Sequence, residues 1–84
     1  MYTVYVIKST RNSKRYIGFT SKDVKVRLRQ HNLGVNQYTR NNLLYKLVYY
    51  EIGYCKECAG NREKFVKSGK GRELLDIIEK YYNK

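Results

Sequence analysis

Two short segments of strand length, each with a tyrosine and the two tyrosines eleven positions apart, restrict the fold more than anything else in the chain. Thr3-Val4-Tyr5-Val6-Ile7 and Arg15-Tyr16-Ile17-Gly18-Phe19 are joined by the polar stretch Ser9-Thr10-Arg11-Asn12-Ser13. Apolar runs of this length around an Asn-containing turn predict a β-hairpin. Side chains alternate faces along a strand, so any hairpin loop of even length puts Tyr5 and Tyr16 on one face. Two phenols there form either a packing pair or the start of a polar site.

The remaining segments supply what a hairpin needs to become a domain. Thr20-Ser21-Lys22-Asp23 offers N-cap residues, and a helix is expected from there to about Asn32, stopped by Leu33-Gly34. On it Val24 and Leu28 form an apolar i,i+4 pair, and Arg27 and His31 a polar one. Val35–Asn42 is an Asn-rich loop whose Tyr38-Thr39-Arg40 is either a phosphate contact or a plain loop tip. Leu43–Glu51 reads as a central strand, its sheet-forming part Leu44–Tyr50, ended by Gly53.

Lys56–Lys67 has helical spacing, with Ala59, Arg62, Glu63 and Val66 at i, i+3, i+4 and i+7. Glu63 thereby shares a stripe with Ala59 and Val66. A carboxylate in that position requires a partner, either a salt bridge to a nearby cation or a role in a site. Ser68-Gly69-Lys70-Gly71-Arg72 reads as a sharp break. It lacks the spacing of a Walker loop. In the last helix Leu74, Leu75, Ile78, Tyr81 and Tyr82 are expected to pack into the core. The result is a small α+β sandwich in the order ββαβαα, a single domain over residues 1–84 with a three-stranded, mainly antiparallel sheet flanked by helices.

Charge limits the partners. Eighteen Lys and Arg stand against seven Asp and Glu, a net +11, which attracts polyanions and points to nucleic acid. The cations are spread over every segment instead of being gathered on one amphipathic helix, which argues against a membrane surface. No apolar run approaches the roughly 18 residues of a membrane span. The start Met1-Tyr2-Thr3-Val4 has no basic lead-in of a secretory signal, so the expected location is cytoplasmic. Cys55-x-x-Cys58 has no second ligand pair for zinc and reads as two reduced thiols near a helix start.

Tyr5, Tyr16, Arg27, His31 and Glu63 are thus polar residues on structured elements. Val4-Tyr5, then Tyr16-Ile17-Gly18, Arg27-x-x-x-His31-Asn32 and Arg62-Glu63-Lys64 occur in that order. The pattern resembles the GIY-YIG endonuclease family, and most of all its short stand-alone members labelled excinuclease-C-like, a label associated with DNA repair. Lys67-Ser68-Gly69-Lys70-Gly71-Arg72 also looks like the tail of those members. The resemblance implies a metal-dependent endonuclease acting on DNA. In it Tyr5 is the general base, Tyr16 bonds near the scissile phosphate, and Arg27 neutralises that phosphate. His31 orients or deprotonates the base, and Glu63 holds one Mg²⁺ or Mn²⁺. Lys14, Arg15, Tyr38, Arg40, Lys67, Lys70 and Arg72 are candidate nucleic-acid contacts.

The chain departs from the family pattern at Thr3 and Val4, where a glycine and an isoleucine are usual, and no asparagine after Glu63 matches the one larger members carry; the terminal Asn83 is not assigned. With no separate DNA-binding domain, specificity is expected from the domain's own surface, a homodimer or a protein partner. The alternative is a non-catalytic nucleic-acid-binding module of the same fold. A third reading is a basic structural domain whose site residues are relics.

Overall fold

The computed structural model describes residues 1–34 and 44–82. Tyr38, Arg40, Asn83 and the first residue of the expected third strand, Leu43, lie outside them. The elements are β1 (Tyr2–Ser9), β2 (Arg15–Thr20), α1 (Val24–Asn32), β3 (Tyr45–Tyr54), α2 (Lys56–Lys67) and α3 (Gly69–Tyr82). The fold is the expected α+β sandwich.

The hairpin forms because Ser9 organises its turn. Its hydroxyl oxygen accepts from the Arg11 and Asn12 amides, and its own N–H donates to the Lys14 carbonyl at 2.8 Å. Ser13 takes φ 63° to close the turn. The register pairs Tyr5 with Gly18 and Ile7 with Tyr16, so Tyr5 and Tyr16 share a face as diagonal neighbours.

The sheet order is β2-β1-β3, antiparallel throughout. This corrects the expectation of a central third strand: β1 is central and β3 lies at an edge. Aliphatic and aromatic richness made β3 look doubly covered, but Tyr50 and Ile52 are exposed on it. The strand also runs through Gly53, at φ +97°, to Tyr54, where it still pairs with Tyr2.

Alternation along β1 splits the core in two. Val6 packs with Val48, Val66 and Leu75 under α2 and α3. Tyr5 and Ile7 pack with Tyr45, Tyr16 and Leu47 under Val24 and Leu28 of α1. The first layer is aliphatic and the second aromatic.

Asp23 caps α1 by accepting from the Lys25 amide at 2.8 Å, and Gly34 at φ 77° leaves the helix after Leu33. Cys55 caps α2, its sulfur accepting from the Cys58 amide, and both cysteines are exposed free thiols. The Gly-rich stretch is no extended break. Only Ser68 interrupts the helices, and α3 begins at Gly69. A Cβ on Gly71 would lie 2.3 Å from the Phe65 and Val66 carbonyl oxygens, so glycine there permits α3 to start directly against the end of α2. Leu75 and Ile78 pack inward as expected, whereas Tyr81 is 62% exposed and not part of the core.

Candidate active site

The α1 face of the sheet holds a buried polar cluster built around one hydroxyl. Tyr5, on the central strand, is 1% exposed, and the His31 side chain above it is fully buried. The Tyr5 hydroxyl lies 2.9 Å from His31 Nε2, and Arg27 Nε donates to the same oxygen at 3.3 Å. The oxygen thus accepts from Arg27, and the direction of its bond with His31 follows the tautomer of the imidazole. Tyr16 stacks beside the imidazole at 4.9 Å between centroids and lies 6.4 Å from the Tyr5 ring.

Each residue arrives there for a local reason. Arg27 and His31 are one helical turn apart and so project from one stripe of α1. Arg27 is steadied by Gln30, whose amide oxygen accepts from its guanidinium at 3.0 Å. Asn32 anchors the helix end to β3: its side chain accepts from the Tyr45 amide at 2.6 Å and donates to the Tyr45 carbonyl at 3.0 Å. The Tyr45 ring in turn lies against His31. Gly18 makes the space, because a Cβ there would sit 2.7 Å from the Tyr5 hydroxyl and 3.2 Å from the Tyr16 ring.

Gly18, Gln30, Asn32 and Tyr45 contribute to the site without having been assigned a role from sequence. For Gly18 a signal existed: in a hairpin that pairs Ile7 with Tyr16, position 18 necessarily faces Tyr5.

Electrostatics keep the cluster neutral. Burial first and the Arg27 charge second hold the His31 imidazole down to about 4. Burial pushes the Tyr5 phenol above its ordinary value, although the hydrogen bond and charge of Arg27 pull the other way; Tyr16 and Glu63 add to the rise. Arg27 therefore does not by itself ionise Tyr5, contrary to the simplest expectation from its charge. Desolvation wins because the phenolate would be enclosed.

Glu63 approaches from α2, which packs on the opposite face of the sheet. Its charge acts on Tyr5, yet its own hydrogen bond is to Lys67, at 3.0 Å and one turn further along the helix. The Glu63 side chain is 19% exposed. Tyr5, Tyr16, Arg27 and His31 are thus linked by direct contacts, whereas the hydrogen bond of Glu63 goes to Lys67 and not to any of them. Among the described residues no three His, Cys, Asp or Glu side chains converge, so an all-protein metal cage is not available. Glu63 could offer one carboxylate to Mg²⁺, which keeps most of its waters and takes one or two protein carboxylates, in competition with the Lys67 ammonium. A depression of about 290 Å³ opens beside Arg27, with Tyr2, Phe19, Thr20, Lys22 and Gln30 in its wall.

A second cluster was not anticipated. The Glu51 carboxylate accepts two bonds from Arg62, at 2.7 and 2.8 Å, and one each from Tyr49 and Tyr54. Arg62 holds it down to about 2 despite burial, while burial and Glu51 push Tyr49 up to about 12. This cluster ties β3 to α2. Of the expected nucleic-acid contacts, Arg15 is tied at 2.6 Å to both Glu79 and Asp76, and Lys67 to Glu63. Lys14, Lys70 and Arg72 are exposed. No helix of the described residues is long and apolar enough to cross a membrane.

Comparison with known proteins identifies a family. Residues 1–82 match the GIY-YIG catalytic domain. UPF0213 proteins of Streptococcus pyogenes serotypes M5 (strain Manfredo) and M1 are each 43% identical over 58 residues, 68% of this chain and 62% of their own length. The matched part thus spans under two thirds of those relatives. They carry the UPF0213 name and not the excinuclease label. No solved structure matches the chain. With a catalytic-domain match running through nearly every residue described, the chain belongs to the GIY-YIG family.

Proposed function

We propose that this domain is a metal-dependent endonuclease that hydrolyses a DNA phosphodiester, with Tyr5, Tyr16, Arg27, His31 and Glu63 as its working residues. The observation that carries the reading is the convergence of Arg27 Nε and His31 Nε2 on the Tyr5 oxygen. It sets a cation and a proton acceptor beside a single phenol.

Phosphodiester hydrolysis needs a proton acceptor for the attacking water and cationic groups facing the charge that develops on phosphorus. Arg27 lines the depression on the α1 side and supplies the cation. A phosphate bound there neutralises the charge that holds His31 down, so its Nε2 becomes a better acceptor. Tyr5 then takes the water's proton as its own passes to Nε2, which avoids a free phenolate in a buried site. Tyr16, half-buried beside the imidazole, orients a phosphate oxygen. A bound Mg²⁺ or Mn²⁺ at Glu63 would supply Lewis-acid stabilisation of the phosphate and the departing 3′ oxygen. Lys67 would yield its place on that carboxylate.

The test is a panel of branched, flapped, single-stranded and duplex DNA with Mg²⁺ or Mn²⁺. Cleavage that disappears in Glu63→Gln while DNA affinity is kept supports the proposal; binding without cleavage on every substrate overturns it. One observation favours the non-catalytic alternative, a nucleic-acid-binding module: Lys67 already satisfies Glu63. On that reading Glu63→Gln leaves every measured property nearly unchanged.

A further inference from the structure

A concavity larger than the one beside Arg27 lies on the opposite side of the sheet, between the turn end of the hairpin and the α2–α3 corner, with a volume of about 480 Å³ against about 290 Å³. Five cations line it, Lys8, Lys14, Arg15, Lys67 and Arg72, against one carboxylate, Asp76.

Its construction differs from that of a scattered basic surface. Lys8 and Arg15 are held at 2.6 Å by Glu79, and Arg15 also by Asp76 at 2.6 Å. These contacts fix two cations in the wall, so little side-chain entropy is left to lose when an anion arrives. Lys14 and Arg72 are exposed at the rim, where their charges reach outward. Ile17, Val66 and Leu75 of the aliphatic core form the floor. A dry floor under a cationic rim raises the local potential felt by an anion. Lys67 belongs both to this cleft and to the ion pair with Glu63, which makes the cleft continuous with the candidate metal carboxylate.

We infer that this cleft is a second phosphate-binding site, which takes the sugar–phosphate backbone of the nucleic acid strand flanking the cleaved bond. The inference rests on the nucleic-acid substrate proposed above and gives it a direction: the flanking strand passes the β2 edge, from the Arg27 side to the hairpin turn. The α1 side acts on the reacting phosphate and the cleft holds a neighbouring one. Lys14 and Arg72 bind by charge, so they add affinity without reading sequence.

The experiment compares the double variant Lys14→Ala/Arg72→Ala with the charge-matched control Lys56→Ala/Lys80→Ala, whose two lysines are exposed and do not line the cleft. A fluorescent single-stranded and a duplex DNA are titrated from 50 to 200 mM salt without divalent metal. Loss of two phosphate contacts lowers the log–log salt slope by about 1.8 on duplex DNA. The expected result is that drop, with at least tenfold weaker binding at the lowest salt, in the cleft variant and not in the control. Thermal melting verifies that both variants fold. Equal slopes in the cleft variant and the unmodified protein, or equal losses in cleft variant and control, overturn the inference. Its failure is separable from that of the nuclease reading. Salt-sensitive binding through Lys14 and Arg72 without cleavage leaves the cleft standing and removes the nuclease; cleavage with an unaltered slope does the reverse.

Discussion

The two faces of one three-stranded sheet have been built by different rules. Under α2 and α3 the contacts are aliphatic, Val6 with Val48, Val66 and Leu75, and charges stay at the rim in ion pairs. Under α1 the sheet carries Tyr5, Tyr16 and Tyr45 around a buried histidine, and the polar atoms are satisfied inside the layer. Both sets come from the same strand: Val4 and Val6 turn one way, Tyr5 and Ile7 the other. Hydrophobic burial is non-directional, so the aliphatic face can hold the domain together without constraining the chemistry. The hydrogen-bonded face does the reverse, since it specifies positions at little net gain in stability.

That division is breakable by mutation. The largest effect is expected from Tyr5→Phe, which removes the hydroxyl at the centre of the polar face. Cleavage should fall by about 10² to 10⁴-fold, the range of a lost acid–base group, with a change in melting temperature far smaller than the activity loss implies. Comparable losses of stability and activity would show that the polar face is structural. Val48→Ala, in the aliphatic layer and away from both concavities, should do the opposite. It should cost about 1.5–3 kcal/mol in denaturant unfolding while the folded fraction retains its turnover.

Gly18→Ala joins the two. Its methyl group would meet the Tyr5 hydroxyl at 2.7 Å, and an overpacked site of this kind costs about 1–3 kcal/mol. Cleavage should drop through displacement of Tyr5, although no polar atom has been removed. Unaltered turnover would mean that the Tyr5 position is less constrained than the contact indicates.

The smallest effect is on acid stability, and the faces should contribute in different windows. His31, held at about 4 against an ordinary 6.5, binds its proton more weakly when folded. Stability is therefore full above pH 6.5 and is lost as pH falls toward 4. Glu51, held at about 2 against 4.5, contributes stability that is lost as pH falls from 4.5 to 2. Urea midpoints measured across pH should show both legs. Glu51→Gln should flatten the lower and leave the upper.

What could be read from the residues follows the same physical line. Local signals were legible: a cap for α1 within Thr20–Asp23, the helical stripe Lys56–Lys67, the hairpin that puts Tyr5 and Tyr16 on one face. Long-range closeness was not. Gly71 read as a breaker because the packing that requires glycine there, α3 against the last carbonyls of α2, is a tertiary contact. Glu51 drew no notice because its partner Arg62 lies eleven residues away on another element. Arg15 was expected to meet phosphate, but Glu79 and Asp76, more than sixty residues later, reach it first. The five-residue constellation came from family resemblance. Direct contact joins four of its members, and the fifth, Glu63, pairs with Lys67 instead.

Asn32 and its two bonds to the backbone of Tyr45 have a consequence for the buried histidine. The amide stands in for a strand neighbour, and the Thr10 amide and hydroxyl fasten the preceding Leu44 carbonyl in the same way. The start of β3 is thus held twice over, from the end of α1 and from the turn of the hairpin. Because the Tyr45 ring lies against His31, the same backbone bonds help fix where the imidazole stands over Tyr5. A side chain that never touches the central hydroxyl thereby sets the position of one that does.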